Sequence, residues 1–189
     1  MKRLIFQAPF NGFVHRWTEF TQSLDEQEDE VTKDHLQLLY TTLEEELRDV
    51  IAAKHDYIAN RVITFDHLWT IYQPGSTLYS NEWNRDCGTK FTLGSYIDHA
   101  KYGPCYSVAS QRVDWDGDKF GYAPCQKLIL EFSRTVPITS LSTFPLNFHP
   151  QHKSVRAKLL ARGKLFEDYH GYHYKAYKGF ALGKDMCGK

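Results

Sequence analysis

Val113-Asp114-Trp115-Asp116-Gly117-Asp118-Lys119-Phe120-Gly121-Tyr122 is the stretch from which the fold is read. Asp116-Gly117 accepts positive φ at both central positions of a type I′ turn, so the stretch predicts a tight β-hairpin. Two strand-like runs flank it, Cys105 to Trp115 before and Lys119 to Phe132 after. The approaching arm alternates Tyr106, Val108, Ser110 and Arg112 with Ser107, Ala109, Gln111 and Val113. The departing arm carries Phe120 and Tyr122, then Leu128, Leu130 and Phe132, at strand spacing. Arms of this length predict a hairpin (105–132) at the centre of a sheet. A turn centred between Asp116 and Gly117 brings Cys105 and Cys125 close in register on opposite arms.

Outward from the hairpin, Thr32 reads as an N-cap with Asp34 in the first turn. Leu36, Leu39, Tyr40, Leu43, Leu47, Val50 and Ile51 then follow a helical stripe to about Lys54. Glu44-Glu45-Glu46 is mostly its wet face. Thr64 caps a shorter helix with Asp66 in its first turn and Leu68, Trp69 and Tyr72 inward, ended by Pro74-Gly75. Thr77-Leu78-Tyr79 starts a strand, Asn81 to Gly88 reads as a polar loop, and Lys90 to Ile97 reads as a second strand.

Beyond the hairpin, Val136 to Phe148 is extended and punctuated by proline, which predicts an edge strand or a strap. His152 to about Tyr169 is a helix. Its Val155, Leu159, Phe166 and Tyr169 face the core, and Lys153, Arg156 and Lys164 face away. Tyr172 to Leu182 reads as a last strand. The order predicts an α+β fold, a largely antiparallel sheet with two N-terminal helices and one C-terminal helix. The expected organisation is an N-terminal segment (1–31) with an acidic linker, one domain (32–182) and a tail (183–189). Phe6, Phe10, Phe13, Val14, Trp17 and Phe20 make residues 1–31 too apolar for a free tail, so the segment lies against the domain.

The 189 residues suit one domain with a packed core, 42% hydrophobic and 15% aromatic. No run approaches a membrane span, and Gln7, Pro9 and Asn11 interrupt the basic start before a signal-peptide core forms. An intracellular protein, cytoplasmic or nuclear, is expected. Formal charge is zero overall but uneven. Residues 1–60 hold twelve acids and six bases, whereas residues 151–189 hold nine bases and three acids. The ends neutralise one another by packing together, or the basic end serves an acidic partner. The four cysteines, Cys87, Cys105, Cys125 and Cys187, form no CxxC pair and read as free thiols.

The hairpin motif precedes several further segments: Pro137-Ile138-Thr139-Ser140-Leu141, Phe144-Pro145-Leu146-Asn147-Phe148-His149-Pro150, Arg162-Gly163-Lys164-Leu165-Phe166, and Gly171-Tyr172-His173-Tyr174-Lys175-Ala176-Tyr177-Lys178-Gly179. In that order they resemble an uncharacterised domain that precedes the AAA+ module in many fungal ATPases. The resemblance covers roughly Thr32 to Leu182 and carries no assigned activity. It implies a non-catalytic accessory domain that binds a protein partner or substrate for an attached ATPase, by analogy with the position of other such domains.

The residues themselves offer no catalytic motif. Gly179-Phe180-Ala181-Leu182-Gly183-Lys184-Asp185 has one residue too few for a P-loop and places an acid where Ser or Thr holds Mg²⁺. Asp114, Asp116 and Asp118 match the first EF-hand positions, but Lys119 and Cys125 stand where Gly and Glu are needed. His149-x-x-His152 and His170-x-x-His173, with Cys187, have zinc-like spacing and would have to converge from three elements. No nucleophile elbow or cysteine-protease signature is present, so an enzyme would need a dispersed Cys/His or zinc site. No cofactor is implied. The candidate partner-binding residues are Asp114, Asp116 and Asp118 at the hairpin tip, and Lys153, Arg156, Lys164, Lys175 and Lys178 at the basic end. The basic face of the His152–Tyr169 helix, joined by Lys175 and Lys178 interleaved with Tyr172, Tyr174 and Tyr177, also fits a nucleic-acid-binding module, against a pI near 7.1.

Overall fold

A computed structural model describes Phe6, residues 8–169 and Gly171. The long hairpin is present: β4 (Gly103–Trp115) pairs antiparallel with β5 (Phe120–Leu130). Its turn differs from the two-residue form. Trp115 faces Phe120, so Asp116–Lys119 forms a four-residue loop with Gly117 at φ 108°. Asp116 decides this. Its Oδ1 accepts from the backbone N–H of Asp118 (2.9 Å) and Lys119 (2.8 Å), an Asx-type turn that draws two more residues into the loop. The register therefore slips by two. Cys105 faces Leu130 and Cys125 faces Ser110, five positions away and on the opposite sheet face. Both are free thiols.

β2 (Thr77–Glu82), β3 (Arg85–His99) and β7 (Phe144–Pro145) complete an antiparallel five-stranded sheet in the order β5-β4-β3-β2-β7. The stretch Asn81 to Gly88, expected as a loop, is the second hairpin of the sheet. Trp83 and Asn84 make its turn at φ 53° and 61°. Trp83 carries no turn signal, so the two strands hid within one polar run. The α+β class and the antiparallel sheet stand as expected.

The sheet is strongly curled. Lys127 on β5 and Glu82 on β2 lie on one face by alternation, with two strands between them. Their side chains meet at 2.6 Å. In a flat sheet three strand spacings alone would hold those backbones roughly 14 Å apart, and the register sets them further apart along the strands. The contact requires coiling, and β3 supplies an irregularity for it between Phe91 and Leu93. Gly94 follows at once. A Cβ there would overlap the Tyr106 hydroxyl, so glycine lets that ring lie flat across the bend.

The concave face carries Leu78, Phe91, Tyr106, Val108 and Ile129. It packs on a 3₁₀ segment (Phe65–Thr70) and on Ile71 and Tyr72, forming the main core. Thr64 precedes that segment as expected, but its hydroxyl bonds Tyr57 and His67 side chains instead of capping the backbone. The proline-punctuated strap is also present. Val136–Pro137 (β6) pairs with Val62–Ile63 (β1), and Phe144–Pro145 closes the sheet edge. Two buried bonds pin it: Tyr72 O–H donates to the Thr143 carbonyl (2.6 Å) and Thr143 O–H to the Tyr79 carbonyl (3.1 Å).

The N-terminal segment lies on the domain. α1 (Asn11–His15) and α2 (Trp17–Asp25) fold back on α3 (Glu30–Asn60). Val14, Leu43, Leu47 and Ile51 form a second apolar cluster, and Trp17 stacks on Tyr40 at 5.5 Å. The cap of α3 is Asp29, whose carboxylate accepts from Thr32 N–H, and the helix runs on to Asn60. Thr32 therefore sits inside the first turn. The acidic linker shrinks to a few residues between α2 and α3. The helix predicted at the basic end is α4 (His152–Asp168). Only its first turns are core-facing. Val155 is buried and Leu159 half-buried, but Phe166 and Tyr169 are 41% and 43% exposed. The predicted strand Tyr172 to Leu182 and the tail 183–189 lie outside the described residues, as does the P-loop-like run.

Candidate functional site

α4 crosses the convex face of the sheet over Gly88. The absence of a side chain there matters: a Cβ on Gly88 would sit 3.0 Å from Leu159 Cδ1. Glycine thus seats the helix close at one point and leaves a groove beside it. The groove has a volume of about 620 Å³. Strand alternation supplies one wall through Thr77, Lys90, Gln111, Val113 and Tyr122. At 100° per residue, Arg156, Leu160 and Gly163 fall on the helix flank that forms the other wall.

The lining has one sign of charge. Lys90, Arg156 and Arg162 border it, and no carboxylate does. Among the described residues neither Lys90 nor Arg156 has an ion-pair partner. Arg162 donates to the Asp86 backbone carbonyl at 2.7 Å, which fixes its guanidinium over the sheet while leaving its charge intact. Asp86 itself is held by the Tyr79 hydroxyl at 2.9 Å. Arg112 also borders the groove, but alternation and its 3.5 Å contact with Asp114 assign its guanidinium to the opposite face. The apolar lining is uncovered: Val113, Tyr122, Leu160 and Phe166 are all exposed. An exposed apolar strip beside unpaired cations is the arrangement that receives a chain bearing both apolar and acidic side chains.

The sequence-predicted residues divide. Arg156 was expected to face away, and it lines the groove instead. The core arc through Val155, Leu159, Phe166 and Tyr169 left Arg156 outside, but Arg156 lies only about 60° around the helix from Leu159 and so borders the groove beside that contact. Lys153 and Lys164 fall on the outer side of the helix and are exposed. Lys175 and Lys178 lie outside the described residues. Two of the hairpin-tip acids make local contacts at the turn. Asp116 caps its own turn, and the two backbone N–H groups it accepts, Lys119 first, hold its carboxyl below the usual range. Asp114 accepts from Trp115 N–H and faces Arg112. Asp118 is exposed and contributes its backbone N–H to Asp116. Lys90 and Arg162 escaped the sequence reading. Strand alternation carried a signal for Lys90, since it shares a face with Gln111 and Val113; Arg162 had none, because its place depends on the helix docking.

The histidine pair does not gather a metal site in the described part. The His149 ring packs tilted against Tyr79 (4.6 Å between centroids), and its Nδ1 accepts from Gln151 N–H. His152 Nδ1 approaches the His149 carbonyl at 3.3 Å. Among the described residues, no three of His, Cys, Asp and Glu come together as ligands. His170, His173 and Cys187 lie outside them. Among the described residues no helix is long and apolar enough to cross a membrane.

No curated protein matches this chain, and no solved structure matches it. One family model does, over residues 53–150, from the end of α3 through the strap. That segment holds every strand among the described residues and hence the sheet wall of the groove, while α1, α2 and α4 fall outside it. The match covers more than half of the 189 residues, and the chain belongs to the family described as domain of unknown function DUF7025.

Proposed function

We propose that the chain is an intracellular, non-catalytic accessory domain that binds an acidic, partly apolar segment of a protein partner or substrate between α4 and the sheet. The observation that carries this reading is the groove itself: Lys90, Arg156 and Arg162 around exposed Val113, Tyr122, Leu160 and Phe166, with no carboxylate in the lining. Extended peptides gain affinity from such a surface when acidic side chains meet the cations and apolar ones fill the strip. The partner's wider setting, an attached AAA+ ATPase of fungal type, rests on the resemblance alone. In that setting the domain recruits or orients what the ATPase works on, and ATP turnover by residues 1–189 alone would exclude it.

The test is fluorescence polarisation with a labelled peptide alternating glutamate with leucine and phenylalanine. The comparisons are its glutamine counterpart and a single-stranded DNA oligonucleotide. Binding of the acidic peptide, weakened about fivefold by Lys90→Glu and by Arg156→Glu, is expected. Indifference to both reversals would overturn the proposal. The aliphatic part of the lining, Val113, Leu159 and Leu160, favours peptide over nucleic acid. Binding of the oligonucleotide in preference, with a steep salt dependence, would transfer the surface to a nucleic-acid module.

A further inference from the structure

A second cavity lies on the other side of the sheet, where α1 crosses the bend of β3. Its volume is about 300 Å³, at the lower end of the range of small-ligand sites. Trp69, Tyr72, Phe91 and Tyr106 line it with rings. His15, Arg16 and Gln73 supply polar groups, and no carboxylate borders it.

The decisive group is the Tyr106 hydroxyl. Tyr106 is 2% exposed. The two tyrosines whose rings pack on it have spent their protons: buried Tyr72 donates to the Thr143 carbonyl, and the more exposed Tyr96 donates to the Phe65 carbonyl at 2.8 Å. Among the described residues the Tyr106 hydroxyl has no hydrogen-bond partner, although its ring packs on both, at 5.5 and 4.8 Å. Its hydroxyl occupies the space that a side chain on Gly94 would take, and Gly94 itself lines the cavity. A donor is thus carried to a ring-lined wall, where it opens into the cavity and can donate to an acceptor on a ligand.

Charge narrows the class of partner. Burial first, and the Lys54 charge second, hold His15 near pKa 4, so its imidazole is neutral at pH 7. Arg16 is then the one formal charge bordering the cavity, and it has no ion-pair partner among the described residues. We propose that this cavity binds a small planar aromatic acid, whose ring lies among Trp69, Tyr72 and Phe91, whose ring acceptor takes the Tyr106 O–H, and whose carboxylate meets Arg16. The site shares no residue with the α4 groove, so it stands or falls independently of the peptide reading.

The test is isothermal titration of the full chain with quinoline-4-carboxylate, which has a ring nitrogen at one end and a carboxylate at the other. 1-Naphthoate replaces that nitrogen by CH, and quinoline lacks the carboxylate. Saturable one-site binding is expected, with 1-naphthoate weaker by roughly three- to tenfold, the worth of one hydrogen bond. Quinoline is expected to be weaker by about two- to fivefold, in a salt-dependent way. Tyr106→Phe removes no bond from the free protein. It should keep the melting temperature and abolish the difference between quinoline-4-carboxylate and 1-naphthoate. Arg16→Gln should abolish the difference between quinoline-4-carboxylate and quinoline. The proposal is overturned if none of the three probes saturates, or if wild type binds 1-naphthoate as well as quinoline-4-carboxylate. It is also overturned if Tyr106→Phe, folded as wild type, keeps the full preference for the ring nitrogen.

Discussion

Gly94→Ala tests the bend on which both faces of the sheet depend. The added methyl would coincide with the Tyr106 hydroxyl and crowd the end of its ring. The ring cannot retreat freely. It is 2% exposed and held between Tyr72 and Tyr96. If the core yields in place, overpacking costs about 1–3 kcal/mol. If the ring is expelled, the loss approaches that of truncating a buried aromatic, about 3–5 kcal/mol. We expect roughly 3 kcal/mol, which for a chain of this size lowers the melting temperature by about 6–12 °C. The control is Gly121→Ala on β5, where no atom lies within 4 Å of the new Cβ. It should be neutral or stabilising by up to about 1 kcal/mol, since alanine loses less backbone freedom than glycine. Both are read by urea titration followed by circular dichroism. A Gly94→Ala protein as stable as wild type would refute the account of Tyr106, and with it the curled sheet as described.

Acid sensitivity follows from His15. Its folded pKa of about 4 lies below the ordinary 6.5, so between those values the unfolded chain binds a proton that the native state refuses. Its contribution to stability is complete above about pH 6.5 and is lost as pH falls toward 4. His15→Gln should flatten the melting-temperature profile over that window, and an unchanged slope would count against it. Trp83 holds φ 53° in the β2–β3 turn while 83% exposed. Trp83→Gly should therefore raise stability by about 0.5–1 kcal/mol in the same urea titration, and a loss would mean that the ring is anchored. Thiol labelling with peptide mapping should modify Cys87 and Cys125, both half-buried, well before Cys105, which is fully buried.

The local signals in this chain were strong where one residue's chemistry decides the outcome. Asp116-Gly117 marks a turn because its backbone conformation is cheap there. The stripe through Leu43, Leu47 and Ile51 marks a helix because apolar spacing of 3.6 admits little else. The prolines at 137 and 145 announce a strap because they cannot donate to a ladder. Those features determined the α+β class and the central hairpin from sequence alone. The remaining features depend on residues distant in the chain. An Asx turn at Asp116 moved the register by two and separated Cys105 from Cys125. Trp83 turned a polar run into a hairpin without any turn signature. Arg156 became a groove residue because Gly88, sixty-eight positions earlier, lets Leu159 settle on the sheet. The Tyr106 hydroxyl stands alone because Gly94 makes room for it while Thr143 and Phe65 bond its neighbours. Backbone preference is a property of a few consecutive residues and is written in them. Which side chains share a cavity, and which are left without partners, is decided by packing between elements, and only the tertiary structure holds that.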